Sequence, residues 1–261
     1  MTQYLLHGYL SPALLFLVAF FIVTSFLTLL AVTCFLHRSQ THRSITLSAP
    51  VNHIFRFILW IFTGMITKEW VAVHRKHHAF TDVEGDPHSP KLLGLGKVFF
   101  EGADIYTRYG RDNKTLLDEY GKGTPDDWLE RNIYNKRYLG IGITFAVEIF
   151  LFGLPAIIIW AGQMMVIPVI AAGFINGVAH VIGYQRYKDG QVSKEGKVFE
   201  RIGDARNVPT FGLAVGEEFH NNHHAYQGSY KFSHQWFEFD LGGTFIEILC
   251  LLRLAQVPQK R

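Results

Sequence analysis

The sequence predicts an all-α integral membrane protein. About three membrane spans and one interfacial helix form a small bundle beneath a helical cytoplasmic cap. Three observations predict it. Residues 12–36 run for 25 positions without a charge, long enough to cross a bilayer. All 25 basic residues lie in 37–137 and 186–261, and none in 1–36 or 138–185, so the two basic blocks face the cytoplasm. Eight of the 13 histidines fall in three short stretches, each placed by that charge pattern at the same membrane face.

Residues 12–36 form the first span, ending at His37, and the segment before it lacks the basic start of a signal peptide. Residues 50–67, PVNHIFRFILWIFTGMIT, are apolar but short, and carry His53 and Arg56. A full crossing there would put the second histidine stretch opposite the first, so the segment is expected to be an interfacial or re-entrant helix, with His53 structural. Residues 68–137 form the first part of the cap, with a turn at Asp86-Pro87-His88 and a helix from about 126 capped by Thr124. Residues 138–161 and 163–184 are expected to be two antiparallel spans joined at Gly162-Gln163. Glu148, costly in lipid, should face the bundle. Residues 186–261 complete the cap, with 236–255 a helix packed on the cap or the membrane surface. The whole chain, 1–261, reads as one domain.

The net charge of +3 makes no case for nucleic acid. Cys34 and Cys250 lie in no C-x-x-C, which excludes an iron–sulfur cluster or a zinc ribbon. The histidines carry the chemistry. The stretches are His37-Arg38-Ser39-Gln40-Thr41-His42, His74-Arg75-Lys76-His77-His78 and His220-Asn221-Asn222-His223-His224. The last two share the spacing H-x-x-H-H, expected once by chance in roughly 3% of such chains and twice far more rarely. Positions i, i+3 and i+4 share a helical face, so each pentad is expected to aim three imidazoles at one point. His37 and His42, five apart, fit one helical face poorly and should straddle a helix end. Imidazole is the commonest metal ligand.

These boxes, in this order and separation, resemble the membrane-bound fatty acyl desaturases of the stearoyl-CoA (acyl-CoA delta-9) type. Glu69-Trp70, Asp86-Pro87-His88, the run Asn176-Gly177-Val178-Ala179-His180-Val181-Ile182-Gly183-Tyr184, and Gly216-Glu217-Glu218-Phe219 extend the likeness from about residue 12 to the C-terminus. Members of that family usually have another span before the one at 12–36. The resemblance implies a di-iron site in the cap, with O2 as co-substrate, forming a cis double bond, of delta-9 type, in a saturated acyl-CoA or acyl-lipid chain. His37, His42, His74, His77, His78, His180, His220, His223 and His224 match the iron ligands, and Asn176 a residue reaching one iron through a water. Nine histidines exceed one metal's capacity and suit two. His180 gains weight from Asn176 one turn earlier on its face.

Trp70 matches an aromatic lining a bent acyl tunnel, or else is a belt tryptophan at the membrane interface. Arg43, Arg75, Lys76, Arg186 and Lys188 could hold an anionic head group, or be ordinary cytoplasm-facing charge. The Arg-Asp pair that animal acyl-CoA desaturases carry before the second box is Ala72-Val73 here, which leaves room for an acyl-lipid substrate. Electrons would come from a separate ferredoxin, cytochrome b5 or flavin reductase type of donor. The implied location is a bacterial inner membrane, with the site facing the cytoplasm. The rivals are a histidine-box acyl or alkane hydroxylase, a carotenoid ketolase, and a metal transporter. The last would need polar groups through the spans, which hold only Glu148, Asn176 and scattered Ser and Thr.

Overall fold

Apolar side chains that face outward define the molecule's girdle. In a computed structural model describing residues 2–258, Leu15, Ile22, Ile143, Val147, Ile158 and Met165 all project from long helices with much of their surface exposed. Such a surface suits lipid and not water. The chain is a membrane-associated, mostly helical protein.

A short helix, α1 (Thr2–His7), precedes the first long one, α2, which runs from Leu14 to Thr41. After a two-residue strand β1 (Thr46–Leu47) come α3 (Ala49–Phe62) and α4 (Thr67–Ala79), bent by 92° at the break between them. Then follow α5 (Pro90–Leu93), α6 (Leu95–Arg111) and α7 (Lys114–Tyr120). The membrane hairpin is α8 (Arg137–Phe152) and α9, which runs from Pro155 to His180 with changes of pitch. The cap ends in α10 (His220–Ala225), α11 (Leu241–Leu251) and β2 (Ala255–Gln256), which pairs antiparallel with β1. The last three residues of the expected 186–261 segment lie outside the described residues.

Among the described residues two helices, Leu14–Thr41 and Pro155–His180, are long and apolar enough to cross a membrane. The expected middle span, 138–161, is the 16-residue α8, about 24 Å long, which packs against α9 and α3. The hairpin turn is also displaced from Gly162-Gln163. It falls at Gly153-Leu154, where Gly153 takes a left-handed φ of 68° and Pro155 opens α9. Gly162 instead lets α2 approach, since a Cβ there would sit 2.9 Å from the Phe21 ring. Gln163 turns inward and donates to Thr24 Oγ1 at 3.0 Å.

Helix α3 shows how a largely apolar segment carries a cation. Arg56 is buried, and its guanidinium donates to both Asp127 carboxylate oxygens at 2.6 and 2.8 Å and to Glu130 at 2.8 Å. His53 on the same helix is exposed and belongs to none of the histidine groups. The helix after Thr124 starts later than expected: Asp127, not Thr124, accepts the Glu130 amide, and Thr124 Oγ1 donates to the Gly121 carbonyl. Glu148 is buried in the bundle beside Gln163, away from the cavity described below.

Candidate metal centre

The first box is positioned by an unexpected helix. Residues Val32–Thr41 of α2 are wound as a π-helix, and the His42 amide bonds the His37 carbonyl at 3.1 Å. That i to i+5 pattern brings residues five apart over one another. His42 lies just past the helix end, as expected, yet its ring stays 4.9 Å from that of His37. The five-residue spacing was poor only for an α-helix.

The pentads do not aim three rings at one point. On α4 and α10 the rings at i and i+4 diverge by about 40°, whereas i+3 and i+4 are about 100° apart. Each pentad therefore splits. His74 and His78 join His37, His42 and His223 in one group of five, and His77 joins His180, His220 and His224 in a group of four. Within the first group Nε2 of His223 lies 2.9 Å from that of His37 and 3.0 Å from that of His78, and His78 lies 3.1 Å from His74. Within the second, His220 Nε2 lies 3.0 Å from His180 and 3.1 Å from His224, with His77 to His224 at 3.4 Å.

Separations near 3 Å are what ligand nitrogens show when they share one metal: bonds of about 2.1 Å at right angles put neighbours about 3.0 Å apart. Hydrogen bonding alone explains the groups less well. The Nδ1–H of His77 donates to Asp86 at 2.9 Å and that of His180 to Asp82 at 2.8 Å, while Nδ1 of His37 lies 2.6 Å from the Glu217 carboxylate. Each donation leaves a lone pair on Nε2, aimed into the group. His42 Nε2 is buried with no hydrogen-bond partner among the described residues. Burial, then the neighbouring imidazoles, push His42, His74, His78, His220 and His223 well below the usual histidine pKa. They are neutral, the form that binds metal. Two such donor sets, nearly all imidazole, fit two ions of iron, zinc, copper or nickel type.

The carboxylates were not singled out from the sequence as supports. Asp82 takes a left-handed φ of 57° and accepts from Ser89 Oγ at 2.6 Å and the Asp204 amide at 2.8 Å as well as from His180. Burial alone would push its carboxyl up; His180 and these donors outweigh burial and hold it well below the usual range. Asp86 likewise falls to about 2, burial being outweighed by His77. His88 sits in the expected loop, but it is buried, stacked 4.4 Å from His77, and near Asp86.

The residues between the histidines fasten the cap. Arg75 donates to the carbonyls of Gln40, Thr41, Tyr120 and Lys122 at 2.6 to 3.2 Å. It ties the first box to the second, and its guanidinium is engaged with backbone. Lys76 lies over the Phe80 ring at 3.8 Å. Arg186 is exposed beside Tyr187, Lys188 is exposed, and Arg43 reaches the Lys122 carbonyl. Asn221 and Asn222 are buried, and bond Tyr187, Ala205, Phe232 and Glu238.

A largely apolar cavity with about 1040 Å³ of empty volume, its mouth included, runs up to the histidines. Its wall includes Val32, Met65, Tyr106, Ile167, Ala171 and Ile175. His37, His74, His220, Asn176 and Glu217 close one part of it, and Trp70 lines it while stacking on His74 at 4.8 Å. Asn176, at the end of the π-helical stretch Ile167–Ile175, faces the cavity, whereas His180 in the following turn joins the group of four.

The sequence profile of fatty acid desaturases matches residues 11–235. The chain belongs to the fatty acid desaturase family. A "Delta-9 desaturase-like 3 protein" of Arabidopsis thaliana is 30% identical over 234 residues, 87% of this chain and 72% of that protein. An sn-1 stearoyl-lipid 9-desaturase of Synechocystis is 30% identical over 87% of this chain and 66% of its own length. An acyl-CoA 5-desaturase of Anemone leveillei is 30% identical over 84% of this chain and 64% of its own. This desaturase is an oxidoreductase of fatty acids, and its buried histidine groups are where a desaturase metal site would lie.

Proposed function

We propose that the chain is an O2-dependent fatty acyl desaturase that forms a cis double bond, of delta-9 type, in a saturated acyl chain at a di-iron centre. The observation that carries this is the meeting of an apolar cavity with two adjoining groups of buried imidazoles. His37, His42, His74, His78 and His223 would hold one iron; His77, His180, His220 and His224 the other, with Asn176 reaching it through a water. When bound, the irons and O2 supply what no side chain can, removing two hydrogens from adjacent methylenes with two external electrons and two protons, and releasing two waters.

The protein's own residues do the rest. Asp82, Asp86 and Glu217 orient three of the imidazoles through Nδ1. Trp70 holds the acyl chain against His74, and the apolar wall excludes water from the reacting carbons. Ala72 and Val73 are wholly buried, and Arg75 is engaged with backbone, which favours an acyl-lipid over acyl-CoA. Relatives are named for either substrate. Electrons come from a separate donor of ferredoxin, cytochrome b5 or flavin reductase type. The location is a bacterial inner membrane, the histidines at its cytoplasmic face. Expression in a desaturase-deficient host, with lipid analysis that locates the double bond, tests this reading. Appearance of hydroxylated chains with no alkene would overturn it.

A further inference from the structure

One ion pair stands in the wall of the apolar cavity. Arg137 Nη2 donates to Glu69 Oε2 at 2.5 Å, and both side chains are only 15% exposed. Apart from Glu217, they are the only carboxylate and guanidinium groups among the described residues of the lining. An arginine opening a membrane helix ordinarily snorkels to the interface. Here Tyr138 and Leu139 face out and Arg137 turns in.

The pair is built into the packing. A Cβ on Gly110 of α6 would lie 3.1 Å from the Glu69 Cβ, and one on Gly64 would lie 2.6 Å from the Arg137 carbonyl oxygen. Three helices and the α3–α4 bend therefore close on it. A buried ion pair is poor evidence for stability, since desolvation offsets much of the attraction. Arg137 has donors to spare: Nε and Nη1 bond to no described residue, and neither is among the buried polar atoms lacking a partner. Both therefore keep some accessible surface, and Arg137 lines the cavity.

The geometry points to Arg137, held by Glu69, as the group that binds the carbonyl of the acyl ester or thioester. Glu69 neutralises the guanidinium and would repel a phosphate or a free carboxylate, so a neutral acceptor suits the site. Glu69 precedes His74 by five residues on α4, about 7.5 Å along the axis, with Trp70 between. A chain pinned at its carbonyl presents a fixed pair of carbons to the histidine end. This assignment rests on the desaturase reading.

The test is the double variant Glu69→Gln with Arg137→Met, which leaves no unpaired charge, assayed in bilayer discs of stearoyl phosphatidylcholine and, separately, with stearoyl-CoA. Both carry the carbonyl, and the arm that wild type accepts identifies its source. KM should rise roughly tenfold, the loss of a hydrogen bond to a charged group, and the double bond should spread to neighbouring positions. Arg137→Lys keeps the ion pair but loses the lateral N–H donors, and should loosen the position to a lesser degree. Iron content equal to wild type confirms the fold. Active variants with one unchanged double-bond position and unchanged KM overturn this inference alone. A wild type inactive in both arms and in the host overturns the desaturase reading, and this with it.

Discussion

His223 comes from the third histidine box, yet its Nε2 lies 3.0 Å from that of His78 in the second. The converse holds for His77, whose Nε2 is 3.4 Å from His224. Each pentad gives its i, i+4 pair to one group and its middle histidine to the other. The pentads are therefore interlocked, and neither helix can hold a metal by itself.

Losses of iron should follow the spatial groups and not the boxes. Wild-type protein from its native host should carry about two irons per chain, and His74→Ala should lower that. Adding His223→Ala, from another box but the same group, should cost little more, because residues serving one ion are not additive. Adding His77→Ala, from the same box but the other group, should empty both sites. Elemental analysis of the purified variants decides it; a loss that tracks the boxes would refute the grouping.

His180 is the one member of the groups outside the boxes, and its ring is buried against His220 and His224. His180→Ala should abolish desaturation and lower iron content, while the protein still inserts. His53→Ala should do neither, its side chain being exposed on α3. Full iron and activity in His180→Ala would mean that the boxes alone hold the metals.

Asp82→Asn should weaken metal at the group of four by about 10- to 100-fold, the usual effect of losing an outer carboxylate partner. An Asn can donate to Nδ1 and so favour the wrong tautomer of His180. Competition with a chelator, read as iron retained per chain, measures the change. Unchanged retention would assign Asp82 to loop folding through Ser89 and Asp204 alone.

Much of this was legible in the residues. The uncharged run before His37 marked one long apolar helix, and the absence of basic residues over 138–185 marked the region that holds the other. Chain return was legible too: His37 and His74 have to meet, and their rings are 4.5 Å apart. What escaped was local pitch. The π-helical windings at Val32–Thr41 and Ile167–Ile175 leave no mark in a periodicity of 3.6. Arg75 escaped for another reason, since a basic residue at a membrane face looks the same whether it meets a head group or four carbonyls. The hairpin turn was misplaced because Gly162 and Gly153 are alike in sequence, and only packing separates a glycine that admits a neighbour's ring from one that takes positive φ.

That turn gives the last prediction. The histidine end carries the basic cap, so the opposite end of α2, α8 and α9 should be outside the cytoplasm. At that end the Tyr9 and Leu10 amides bond the carbonyls of Phe150 and Leu151, and Leu17, Phe152 and Ala156 pack together. Three helix ends thus share one level, and the loop linking α8 to α9 must emerge there. Reporters inserted after Ser11 and after Leu154 should be active outside, and reporters after Gly121 and Arg206 active inside. One placed after Gly162 should disrupt the protein, because α9 continues through it against Phe21. Activity outside at Gly162 with none at Leu154 would restore a turn at 162–163, and a Ser11 reporter active inside would require Ala49–Phe62 to cross the membrane fully.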